Sequence, residues 1–150
     1  MGKEYSMLNE FLVKVFNEIL RTEEANLKTS EFKNLSMKEM HTIETVYNSE
    51  ISGKNSSSEI ALAQRITAGT LTATIDVLVK KGYVKRIQDE KDKRIIRIIP
   101  AEKGIKANEI HSSFHHDMVS SIIETLDEPE LRVFVDGLEK VHKFFKNKQF

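Results

Sequence analysis

Residues 56–100 read SSSEIALAQRITAGTLTATIDVLVKKGYVKRIQDEKDKRIIRIIP, and the fold is decided inside them. Ser56-Ser-Ser-Glu59 has the spacing of a capping box. The Ser56 hydroxyl can accept from the third amide of a helix while the Glu59 carboxylate reaches back to the Ser56 amide. The helix it opens spans about ten residues and ends near Arg65. Thr67 is a favoured N-cap and opens the next helix, which carries Leu71, Ile75 and Leu78 on its inner side and runs to Lys81. Gly82 stands where a helix ends in a left-handed residue. Two helices joined by a turn of about three or four residues have the spacing of a helix-turn-helix. Tyr83 to Ile87 and Ile95 to Ile99 are rich in Val and Ile and read as two strands. Between them lies QDEKDKR, six of whose seven side chains are charged, and Pro100 stops the second strand. Such a hairpin directly after a helix-turn-helix is a wing.

Outward from this centre the pattern is helical. Met7, Leu8, Phe11, Leu12, Val15, Phe16, Ile19 and Leu20 recur at three and four spacing, which predicts a helix over about residues 5–27. Ser36-Met-Lys-Glu39 is another capping box, opening a helix through Met40, Ile43, Val46 and Tyr47. After the wing, Ile105, Ile110, Phe114, Met118, Ile122 and Ile123 mark a helix over residues 101–124. Asp127-Glu-Pro-Glu130 caps a last one carrying Leu131, Phe134, Leu138, Val141 and Phe145. The expected fold is mainly α: a winged helix-turn-helix with a two-stranded β wing, set between long N- and C-terminal helices. The expected divisions of this one compact chain are residues 1–35, 36–100 and 101–150.

Composition narrows the function classes. A hydrophobic fraction of 39% is enough for a core in a 150-residue chain, which has room for one domain. Cys is absent, which removes disulfides, thiol chemistry and thiolate metal sites and suits a reducing cytoplasm. No apolar run is long enough to span a membrane. Asn34-Leu35-Ser36 and Asn55-Ser56-Ser57 match the glycosylation pattern, but without a secretion signal both read as chance. There is no Gly-rich phosphate loop and no nucleophile motif, so no enzyme is expected. Formal net charge is zero, but its distribution is uneven. Between Arg65 and Arg97 stand nine basic and four acidic residues, a surplus of +5 that leaves −5 on the rest. A basic centre on an acidic body orients a protein on a polyanion.

A helix-turn-helix places the N-terminal part of its second helix at the base edges of the DNA major groove. With Leu71, Ile75 and Leu78 inward, Gly69, Ala73, Asp76 and Lys80 point outward, flanked by Thr70 and Thr72. The first half of that stripe is small, so the helix can approach closely. It holds no Arg or Asn for bidentate base reading, and much of the affinity is expected from phosphates and DNA shape. Thr67 caps an amide terminus that could receive a phosphate. The charged tip is expected over the minor groove, with Lys91, Lys93 and Arg94 in its negative potential and Asp89 and Asp92 holding Arg94 or Lys93 in place. The candidate DNA contacts are Ser56, Thr67, Gly69, Thr70, Thr72, Ala73, Lys91, Lys93, Arg94 and Arg97.

EIALAQRITAGTLTATIDVLVKKGYVKR, then Asp89-x-x-Asp92-x-Arg94, then Lys103-Gly104, resembles the MarR family of bacterial winged-helix regulators over nearly the whole chain. The resemblance implies that the terminal helices build a homodimer and that the dimer binds double-stranded DNA at a pseudo-palindromic operator. LRTEEANLKTSEFKNLSMKEMHTIETV, Thr70-Leu-Thr-Ala-Thr and His111-Ser-Ser-Phe-His115 are similar to the branch that represses fatty-acid biosynthesis genes. That similarity implies acyl-acyl carrier protein as corepressor, its chain lying in an apolar channel among the helices. Candidate lining is Phe16, Leu20, Met40, His41, Ile43, His111, Phe114 and Met118. Two alternatives remain: another small apolar ligand, or zinc held by His41, His111 and His115 as in some relatives, where alignment puts the carboxylate position at Lys28, with Glu23 and Glu24 near but out of register. The third class is an adaptor that dimerises without DNA, which would not need the basic wing.

Overall fold

The computed structural model describes residues 2–148. Helix α1 (Lys3–Glu10), a single π-helical stretch (Phe11–Val15) and helix α2 (Phe16–Thr29) follow one another without a break in helical backbone. The one long helix expected over residues 5–27 is thus present, with a π turn inside it. The Ser30 hydroxyl ends it by donating to the Leu27 carbonyl at 2.7 Å. Then come α3 (Met37–Ser52), α4 (Ser57–Gln64), α5 (Ala68–Lys81), β1 (Val84–Gln88), β2 (Ile96–Pro100), α6 (Glu102–Glu124) and α7 (Glu128–Asn147).

The caps form as their spacing requires. Ser36 with Glu39, Ser56 with Glu59 and Asp127 with Glu130 are complete capping boxes. Gly82 closes α5 at φ 83°. The strands pair antiparallel with Val84 opposite Pro100 and Gln88 opposite Ile96, each strand one residue later than the sequence suggests. Pro100 is the last residue of β2 instead of the first beyond it, which costs no ladder bond at the end of a two-stranded sheet.

The chain divides into two compact units, up to Ser112 and from Ser113, and α6 is continuous across the division. In the first, Leu27, Phe32, Met40, Ile43, Val46, Ile60, Leu71, Ile75, Leu78, Tyr83, Val84 and Ile98 form one buried cluster. The core therefore sits under α3, α4, α5 and the root of the wing, and it holds the wing root against the helix-turn-helix. The second unit is the end of α6 and all of α7, whose Val133, Phe134, Leu138, Phe144 and Phe145 are exposed. No helix among the described residues is long and apolar enough to cross a membrane.

Candidate nucleic-acid interface

The turn between α4 and α5 is made by Arg65, the one described non-glycine residue with positive φ, at 56°. Thr67 then caps α5 by accepting from the Thr70 amide at 3.1 Å. Leu71, Ile75 and Leu78 are fully buried and Thr74 joins them, so the outer face begins with Ala68, Gly69, Thr72 and Ala73, all exposed. Thr70 is half-buried beside them. Farther along, Asp76 does not stand free: Arg86 of β1 donates to it at 2.6 Å. That bond pairs the one negative charge of the outer stripe and links α5 to the wing.

The wing is built on two carboxylates with different tasks. Asp92 holds Arg94 in a fork, Nε to Oδ1 and Nη2 to Oδ2, both at 3.0 Å. The Asp92 carboxyl is held below its ordinary value, first by the Arg94 side chain and then by its own bond to the Arg94 amide. Arg94 is 91% exposed beyond that fork, so its cation is oriented yet still presented to solvent. Asp89 does not touch Arg94. It accepts from the Lys91 and Asp92 amides to shape the tip, and its Oδ1 takes the Arg97 Nε at 2.7 Å. That Arg97 bond comes first among the causes that lower the Asp89 carboxyl. Lys91 and Lys93 are exposed.

Arg97, also a candidate contact, is engaged within the fold. Its Nη1 donates to Asn55 Oδ1 at 3.1 Å, and the side chain is 28% exposed. The buried Asn55 side chain donates to the Ile98 carbonyl at 3.2 Å, and the Ile98 amide donates back to the Asn55 carbonyl at 2.9 Å. Asn55 and Ser56 thus lie alongside β2, joined to it by these bonds and by an isolated bridge between Ser56 and Arg97. Arg97 is the strut that locks the wing to the start of α4. Beside it a cleft of about 380 Å³ opens between Ser56–Glu59 and residues 94–97. Ser56 sits in its wall as the α4 cap, its hydroxyl already accepting from the Glu59 amide. Neither Asn55 nor the Asp76–Arg86 pair stands out in the sequence, because neither partner lies near the other along the chain.

The expected lining of an apolar channel divides in two. Phe16 and Leu20 are exposed, at 58% and 38%, whereas Met40 and Ile43 are completely buried members of the core. Met40 and Ile43 are lining candidates only through the resemblance, and here the face of α3 that carries them is covered by the core. Phe114 and Met118 are half-buried and fall in the second unit, as does His115. His41 of α3 and His111 of α6 do meet, ring centroids 5.8 Å apart. Each also faces a carboxylate: His41 Nε2 lies 3.6 Å from Glu23 and His111 Nε2 lies 2.9 Å from Glu44. The acid at the His41 face is therefore the buried Glu23 of α2. Lys28, where sequence alignment had put it, pairs with Glu24 at the surface at 3.0 Å.

Residues 35–96 match the MarR family. Over 85 residues the chain is 30% identical to the HTH-type transcriptional regulator BilQ of Clostridium symbiosum, covering 57% of this chain and 59% of BilQ. Over 83 residues it is 30% identical to the HTH-type transcriptional repressor YetL of Bacillus subtilis, covering 55% of this chain and 50% of YetL. The chain thus spans about half to three fifths of the length of these two regulators. A crystal structure of Streptococcus pneumoniae FabT in complex with DNA is similar across the fold, with a TM-score of 0.88 and 34% identity, covering 95% of this chain and 98% of that one. These relatives are DNA-binding regulators, not enzymes, in agreement with the absence of a catalytic motif. With a helix-turn-helix, an Arg-bearing wing and end-to-end likeness to such a regulator, the chain belongs to the MarR family.

Proposed function

We propose that this MarR-type regulator is a cytoplasmic homodimeric repressor of fatty-acid biosynthesis genes that grips a pseudo-palindromic operator with α5 and the wing. Acyl-acyl carrier protein is its corepressor in this reading. The observation that carries it is the 34% identity, over nearly the full length, to FabT, a protein whose structure was solved on DNA. The wing supports it: Arg94 is aimed by Asp92 and presented with Lys91 and Lys93, which is what a minor-groove probe requires. Exposed Phe16 and Leu20 remain candidates for contact with the acyl chain, while the core residues Met40 and Ile43 do not. The test is a mobility shift on the promoter DNA of fatty-acid synthesis genes, with and without long-chain acyl carrier protein. Tighter binding with the acylated carrier is expected. An unchanged shift removes the lipid effector and leaves the DNA reading standing; no shift at low salt removes both.

A second reading, zinc as the effector, is favoured by Glu23, which supplies beside His41 the carboxylate that Lys28 could not. Calorimetry separates the two: heat on adding zinc that disappears in His111→Ala supports zinc, and no heat with the unaltered chain eliminates it.

A further inference from the structure

Thr72 stands on the exposed face of α5, in the second turn, between Gly69 and Ala73. Its hydroxyl lies 2.9 Å from the carbonyl oxygen of Ala68. A carbonyl only accepts, so the hydroxyl proton is engaged in that bond, and Thr72 faces outward with lone pairs and a methyl group but no donor. Thr67 is likewise occupied: its oxygen accepts from the Thr70 amide at 3.1 Å and its proton goes to the Thr70 hydroxyl at 2.8 Å. Thr70 keeps a proton but is half-buried. Ala68, Gly69 and Ala73 add only methyl and hydrogen surface. Asp76, the next polar group on the stripe, is tied to Arg86. Apart from the amides of the first turn, which suit a phosphate, the side chains on the leading part of the recognition helix therefore present one hydrogen-bond acceptor among methyl groups.

Base pairs differ in how they meet such a face. An A·T pair offers in the major groove the adenine N6 amino donor between the acceptors adenine N7 and thymine O4, with the thymine C5 methyl beyond O4. A G·C pair also offers one donor and two acceptors, but its donor, cytosine N4, lies at one side of the adjacent guanine acceptors N7 and O6, and it carries no methyl, so the methyl is what separates the two pairs for this face. We propose that Thr72 is a specificity-determining residue that selects an A·T pair in each half-site, its oxygen accepting from adenine N6 and its methyl packing on the thymine methyl. The inference rests on the DNA-binding reading and is independent of the effector.

The experiment starts with selection from randomised duplexes to define the half-site, followed by base analogues and two variants. Deoxyuridine in place of thymine removes the methyl. 2-Aminopurine in place of adenine moves the amino group out of the major groove. Thr72→Ser keeps the hydroxyl and loses the methyl, and Thr72→Val does the reverse. At one A·T pair per half-site, deoxyuridine should weaken binding by the unaltered chain about fourfold, the worth of one buried methyl, and should not weaken Thr72→Ser further. At the same pair 2-aminopurine should weaken the unaltered chain and leave Thr72→Val indifferent. Equal analogue penalties in all three proteins overturn the proposal, as does a half-site in which no A·T pair couples to position 72. If selection enriches no sequence, the DNA-binding reading fails and this inference with it, an outcome distinct from a defined half-site without coupling. Unchanged thermal melting establishes that both variants are folded.

Discussion

Single residues set the close approaches. Gly104 is buried against the wing root, and a Cβ there would press into the carbonyl oxygen of Tyr83, which already accepts from the Ala101 amide at 2.9 Å. Tyr83 cannot yield, since it is fully buried, its ring meets Phe32 edge-on with centroids 6.1 Å apart, and its hydroxyl donates to Asn34. Burial, more than any neighbour, pushes the Tyr83 phenol up. Gly104→Ala is expected to cost about 2–3 kcal/mol in urea unfolding, the range of overpacked cores. Removing the Lys103 ammonium, 4.5 Å above the Tyr83 ring, should cost under about 1 kcal/mol by the same measurement. Arg65 is the opposite case. Its left-handed backbone strains any residue with a Cβ, so Arg65→Gly should raise stability by about 0.5–1 kcal/mol once the greater freedom of the unfolded glycine is subtracted.

At the scale of the element, the wing is two arginines on two carboxylates, and the pairs do different things. Arg94→Ala should lower DNA affinity and flatten its salt dependence by about one unit per half-site, because a cation on the phosphates is lost. Arg97→Ala should also lower affinity but leave the salt slope unchanged, and it should speed hydrogen exchange at Ile98, whose amide Asn55 holds. A reversed outcome would make Arg97 the contact and Arg94 the support. The pH dependence follows from the same bonds. Asp89 and Asp92 both titrate below their ordinary 3.8 in the folded chain. Their contribution is complete above about pH 4 and is lost as the pH falls through the lowered folded values. Carboxyl NMR titration should show wing order independent of these groups from pH 8 to 5 and melting only in stronger acid.

For the molecule as a whole, the unpartnered surface is apolar and lies on the terminal helices. Met7, Leu8 and Phe16 are more than half exposed in the first helical run, and Val133 of α7 is 74% exposed. Exposed apolar surface of this kind marks an interface, and under the proposed homodimer its occupant is a second copy of the chain. Phe16→Asp and Leu138→Asp should each give a folded monomer by sedimentation. DNA affinity should fall at least about tenfold, since two half-sites then have to be bound by separate molecules. A dimer that survives both changes would place the interface elsewhere.

Local chemistry made much of this protein legible in its residues alone. A capping box closes within three residues, a left-handed cap within one, and a 3.6-residue period within two turns, so Ser36, Ser56, Asp127, Gly82 and the inner face of α5 could be placed without knowing what surrounds them. The outward position of Thr72 follows from the same period. Its lack of a free donor does not, because a hydroxyl can rotate and only the formed helix shows where its proton goes. Partner choice over distance was beyond reach for the same reason. Asn55 and Arg97 are 42 positions apart, and His41 meets Glu23 only because α2 and α3 cross as they do. Periodicity put Met40 and Ile43 on an apolar face, and the packing of α3 turned that face into the core. Bonds between neighbours in the chain are determined by its order; bonds between strangers depend on how the elements cross, which is a property of the folded whole.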